Sequence, residues 1–74
     1  MTTRPDVFDE INAFRAGYRH GSDRGIVTPR EAEAEMRRLF TFPVTSGVVD
    51  LFCNGAEHGA RGDAFRYLLS YLAR

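Results

Sequence analysis

Lysine and tryptophan are absent from this 74-residue chain, cysteine occurs once, and the 10 basic residues are balanced by 10 acidic ones. Each scarcity removes a class of function. With no net charge the chain has neither a strongly basic nucleic-acid arm nor the acidity of a DNA mimic, so any charged partner is met by a local patch. All ten cations are arginine, read first as the codon bias of a GC-rich genome and second as a demand for bidentate pairing. A lone Cys53 cannot make an internal disulfide, so the staple of small secreted domains is missing and a reducing cytoplasm is expected. No apolar run approaches the roughly 20 residues of a membrane span, and Met1-Thr2-Thr3-Arg4-Pro5-Asp6 has no signal-peptide core. Residues 1–74 are therefore expected to form one small folded domain with no membrane association.

What is present is helical punctuation. Pro5 with Asp6, Asp9 and Glu10 suits the positive end of a helix dipole, and Val7, Ile11, Phe14 and Tyr18 continue it as one apolar stripe to about His20. Gly21-Ser22-Asp23-Arg24-Gly25 reads as a turn. Thr28-Pro29-Arg30-Glu31 predicts a capping box opening a second helix, with Ala32, Met36, Leu39 and Phe40 on its inner face. Pro43 ends that pattern, and Thr45 or Ser46 caps a third helix running to about Gly59. Asp63 then opens a fourth, with Phe65, Leu68, Leu69 and Leu72 as its apolar face. The expectation is a mainly all-α domain: a compact bundle of about four short helices, with strand content limited to 26–27 and 42–44.

The chain contains an internal repeat. Phe14-Arg15-Ala16-Gly17-Tyr18-Arg19-His20-Gly21 and Phe52-Cys53-Asn54-Gly55-Ala56-Glu57-His58-Gly59 share Phe-x-x-Gly-x-x-His-Gly, and both histidines lie in it. Gly17 and Gly55 sit inside helices, where each costs roughly 0.8 to 1.0 kcal/mol relative to Ala, so close helix crossing is expected there. Gly21 and Gly59, each after a His, read as C′ glycines at helix ends.

No catalytic constellation emerges. Zinc spacings are absent and His20 and His58 do not make a ligand set, so no metal and no cofactor are expected. Cys53 and His58, five apart on a helix, are about 140° apart around its axis and cannot pair as nucleophile and base. Cys53 reads as a small buried hydrophobe. No phosphate-binding glycine loop is present, and the link after the second helix is too long for a helix-turn-helix. The remaining candidates are surfaces. Tyr67, Tyr71, Arg66 and Arg74 share the outer side of the fourth helix, and tyrosine and arginine are enriched at interface hot spots. Glu31, Glu33 and Glu35, with Asp6, Asp9 and Glu10, form two acidic groups suited to a basic channel, although Glu31 also serves the cap and Glu33 pairs by spacing with Arg37. Thr28, His20, His58 and the four repeat glycines are assigned structural roles.

The paired aromatic-x-x-Gly segments with their trailing Arg24-Gly25 and Arg61-Gly62 resemble small accessory proteins encoded by phages and prophages, some of which are anti-CRISPRs. They also resemble, more faintly, the ribosome modulation factor family, whose two helices each carry such an element. The first resemblance implies a non-enzymatic inhibitor that sterically blocks a host protein or nucleoprotein complex, such as a CRISPR effector, in the bacterial cytoplasm. The second implies an RNA- or ribosome-associated modulator using Arg15, Arg19, Arg24, Arg61 and Tyr18. Zero net charge and absent lysine depart from that family, so direct nucleic-acid binding ranks below protein binding. A third expectation is a prophage structural module that dimerises through its glycine faces, the chain being a monomer or a homodimer.

Overall fold

The computed structural model describes residues 6–62. Three helices occupy them: α1 (Val7–Arg24), α2 (Pro29–Leu39) and α3 (Ser46–Arg61). The segment 63–74, where the fourth helix is expected, lies outside the described residues.

Each helix begins where its side chains satisfy the orphan amides of the first turn. At α1 the capping box is made by Asp6 and Asp9: the Asp9 amide donates to Asp6 Oδ1 at 2.9 Å and the Asp6 amide to Asp9 Oδ2 at 3.1 Å. At α2 the Glu31 amide donates to Thr28 Oγ1 at 3.2 Å, while the Thr28 amide and hydroxyl donate to Glu31 Oε1 at 3.1 and 2.9 Å. Thr45 caps α3 by accepting from the Val48 amide at 3.4 Å.

The helix ends differ from the expectation. α1 continues through Gly21 to Arg24, and α3 through Gly59 to Arg61, so Gly21 and Gly59 are not C′ residues. The helices are instead terminated by Gly25 (φ 89°, ψ −164°) and Gly62 (φ 76°, ψ 22°), the positive-φ residues among those described, and of the two Gly62 adopts the left-handed cap conformation. Gly21 and Gly59 stay helical because each is buried against the other helix. No strand forms among the described residues: 26–27 and 42–44 lie in links. Val27 turns into the core while Ile26 stays 74% exposed, and Phe40 stacks on Phe42 with ring centroids 4.7 Å apart.

The helix pair α1–α3 organises the structure. A Cβ placed on Gly17 would stand 2.0 Å from the carbonyl oxygen of Phe52, and one on Gly21 would stand 1.9 Å from that of Ala56. Reciprocally, a Cβ on Gly55 would meet the Phe14 carbonyl at 2.3 Å and one on Gly59 the Tyr18 carbonyl at 2.1 Å. Backbone lies on backbone at all four positions. Because a four-residue advance on α1 meets a four-residue advance on α3, the two helices run parallel, and α2 returns the chain between them. The repeat is thus expressed as a pseudo-two-fold axis along the pair. The same symmetry appears in its rings: Phe14 packs on His58 at 6.2 Å and Phe52 on His20 at 5.7 Å.

α2 covers one side of this pair with Ala32 and Met36, both fully buried against Ala13, Val48, Phe52 and Ala56. Of the apolar stripe expected on α1, Phe14 is buried and Ile11 and Tyr18 are half-buried, while Val7 remains 55% exposed. Leu39 on α2 is also largely exposed. Among the described residues no polar side chain is buried, so the core is held by apolar packing and close helix approach.

Candidate functional site

The α1–α3 crossing consumes the glycine faces internally, so they are closed to a second chain. Open surface lies instead along α1, where a groove of about 820 Å³ runs between α1 and the end of α2. Leu39 and Phe40 contribute apolar surface to it, and Arg15, Arg19 and Arg24 line it from α1. Arg15 and Arg19, at i and i+4, share one side of α1, so two guanidinium groups stand together beside an apolar floor, while Arg24 lines the groove from the last turn of the helix. Arg19 and Arg24 form no ion pair among the described residues. Such a site has the combination that anchors a partially apolar, anionic partner: desolvated area for affinity and planar donors for carboxylate or phosphate. Sequence reasoning named these arginines as the RNA-modulator set but did not see the groove, which needs the end of α2 to fold back beside α1.

The acidic candidates are otherwise engaged. Glu31 is held by its capping box, and the Thr28 backbone N–H, followed by the Thr28 hydroxyl, lowers its carboxyl pKa. Glu33 accepts from Arg37 Nε and Nη2 at 3.2 and 3.0 Å, one helical turn away. Glu35 pairs with Arg38, whose guanidinium lowers the Glu35 pKa while its own is raised by the same contact. Asp6 and Asp9 cap α1, and Glu10 is exposed in its first turn. Of the carboxylates that sequence places toward a basic channel, Glu33 and Glu35 are thus paired with arginines of their own helix, and Glu31, Asp6 and Asp9 are occupied in caps. Arg66, Tyr67, Tyr71 and Arg74 lie outside the described residues.

His20 and His58 do not form one site. The pseudo-two-fold relation places them on opposite edges of the helix pair, each against the other helix's phenylalanine. An Arg61 guanidinium nitrogen lies 3.2 Å from His58 Nδ1. No group of three metal-ligating side chains occurs among the described residues. Cys53 is half-buried rather than fully buried, and its thiol pKa is raised first by burial and then by Asp50 and Glu57, one turn to either side. A raised thiol pKa leaves little thiolate at neutral pH, the reverse of an activated nucleophile. No helix among the described residues is long and apolar enough to cross a membrane.

Comparison of the chain with protein-family models, with curated proteins and with solved structures finds no match.

Proposed function

We propose that this chain is a non-enzymatic accessory protein that binds a larger host protein or nucleoprotein complex and inhibits it by occupying a surface, in the manner of phage-encoded anti-CRISPR proteins. One observation carries the binding mode: the groove along α1, with an apolar floor and the arginines Arg15, Arg19 and Arg24. It favours a partner with an anionic, partly apolar surface over the basic channel that the acidic residues first implied. The glycine-packed pair supports this reading, because backbone contact along α1–α3 makes the arginine-bearing helix a rigid platform and lowers the ordering cost of binding.

The test is capture of partners from a bacterial lysate by the wild-type chain and by Arg19→Glu/Arg24→Glu. Loss of a discrete partner in the variant, with helicity and melting unchanged, supports the reading. Capture that survives the reversal refers the contact elsewhere, and Tyr67→Ala and Tyr71→Ala then examine the segment after α3.

The same arginines favour a second reading, an RNA- or ribosome-associated modulator, in which they contact phosphate and Tyr18 stacks on a base. Salt separates the two. Phosphate binding weakens steeply between 50 and 200 mM salt, whereas occupation of a protein surface through an apolar floor weakens less.

A further inference from the structure

We propose that the side of the helix pair that α2 does not reach is a docking face for residues 63–74 of the same chain, which lie antiparallel along Val7, Ile11, Phe14 and Tyr18 of α1. These four residues share one face of α1. By helical geometry that face stands roughly 70° from Gly17 and Gly21, which meet α3, and roughly 160° from Ala13, Ala16 and His20. Ala13 and Ala16 pack in the core cluster around Met36 and Phe52, and His20 packs on Phe52, so α2 lies on the far edge of the pair. None of the four joins that cluster, yet Phe14 is only 3% exposed. Its burial is not supplied by α2.

The pseudo-two-fold axis selects the occupant. After α1 the chain passes Gly25 and returns as α2, which packs on α3; after α3 it passes Gly62, whose left-handed backbone turns it, into residues 63–74. The rotation that carries α1 onto α3 also carries the edge marked by Phe52 and His20, which α2 covers, onto the edge marked by Phe14 and His58. The counterpart of α2 therefore belongs against α1 on that second edge, and the chain leaving Gly62 is the segment that stands in its place in the repeat.

Composition, direction and length of the segment agree. Phe65, Leu68, Leu69 and Leu72 recur at helical spacing, an apolar stripe to set against that of α1. Gly59 lies against the Tyr18 carbonyl and the Ser22 amide, so the chain leaves α3 beside the last turns of α1. As a helix, residues 63–74 rise about 18 Å, and α1 from Tyr18 back to Val7 is about 17 Å long. Laid antiparallel from that start, Phe65 falls at Tyr18, Leu69 at Phe14 and Leu72 at Ile11. The groove lined by Arg15, Arg19 and Arg24 stays open on the other side of α1, so the inference stands independently of the partner reading.

Nuclear Overhauser contacts in the unmodified full chain test this without any substitution. Expected are contacts from Leu72 to Ile11, from Leu69 to the Phe14 ring and from Phe65 to the Tyr18 ring, none of them between copies in a mixture of labelled and unlabelled chain. Contacts from these three residues to Leu39 and Phe40 instead would place the segment in the groove and overturn the proposal. So would contacts found only between copies, which assign the face to a second chain, or no contact to α1 at all. The register has a separate readout. With Cys53→Ser, the pair Ile11→Cys/Leu72→Cys should oxidise to an intramolecular disulfide at least about ten-fold faster than Asn12→Cys/Leu72→Cys, position 12 lining the groove on the other side. Equal rates for the two pairs count against the docking face as firmly as missing contacts do.

Discussion

Gly17 lies so close to Phe52 that a Cβ on the glycine would stand 2.0 Å from the phenylalanine's carbonyl oxygen. The obstacle is backbone, not the end of a flexible side chain, so the helices must separate to admit even a methyl group. Alanine ordinarily improves a helix interior by roughly 0.8 to 1.0 kcal/mol over glycine. Here separation also opens the core around Phe52 and Ala56, and the overpacking cost of about 3 kcal/mol or more exceeds that gain. Gly17→Ala and, across the pseudo-two-fold, Gly55→Ala should each lower stability by at least about 2 kcal/mol in urea titration. Wild-type stability in either variant would remove the backbone contact as the organising feature.

Gly47 supplies the opposite case. It is exposed in the first turn of α3, and a Cβ there would find Thr45 Oγ1 at 3.7 Å, an ordinary contact. Gly47→Ala should raise stability by about 0.5 to 1 kcal/mol, read from the same titration. The two experiments together separate helix propensity from helix crossing.

That contrast explains what was legible in the sequence. Capping is local chemistry, and Thr28 with Glu31 specified the start of α2 from four adjacent residues. The repeat announced a close crossing at Gly17 and Gly55, because interior glycine is costly unless another backbone requires it. Gly21 and Gly59 were misread as helix ends because, seen locally, a glycine after a histidine is a terminator. Only the partner helix, 35 to 41 residues away in sequence, keeps them helical. Ala13 escaped notice for a related reason: nothing in its own segment shows that it joins the core cluster with Val48, Phe52 and Ala56 of α3, yet it is fully buried. The arginines were visible from the start, whereas the groove beside them depends on where the end of α2 comes to rest.

The α2 capping box makes stability depend on pH. The Glu31 carboxyl pKa is lowered from its ordinary 4.5, first by the Thr28 backbone N–H and then by the Thr28 hydroxyl. Glu35 is lowered likewise, by Arg38. A carboxyl whose folded pKa lies below its unfolded one binds protons more readily when unfolded. Its stabilisation is therefore present above the unfolded value and is lost as pH falls through that value toward the folded one. Unfolding midpoints should fall as pH drops below about 4.5, and Glu31→Gln should flatten part of that decline. Thr28→Ala keeps the backbone donor but loses the hydroxyl and the cap, so it should cost about 1 kcal/mol at pH 7 and less at pH 3. A Thr28→Ala penalty that grows on acidification would contradict the assignment.

Cys53 offers a probe of α3 that needs no partner. Its thiol pKa is raised first by burial and then by Asp50 and Glu57, which flank it on the same helix at i−3 and i+4. Alkylation proceeds through the thiolate, so iodoacetamide at pH 8 should modify Cys53 several-fold more slowly than an unstructured cysteine peptide. Removing the neighbouring charges in Asp50→Asn/Glu57→Gln should accelerate the reaction without reaching the peptide rate, because burial, the larger cause, remains. Denaturant should abolish both differences at once. If the double variant reacts at the wild-type rate while the folded protein is still slow, burial alone controls the thiol. If folded and unfolded chains react equally, α3 does not hold Cys53 against the core in solution.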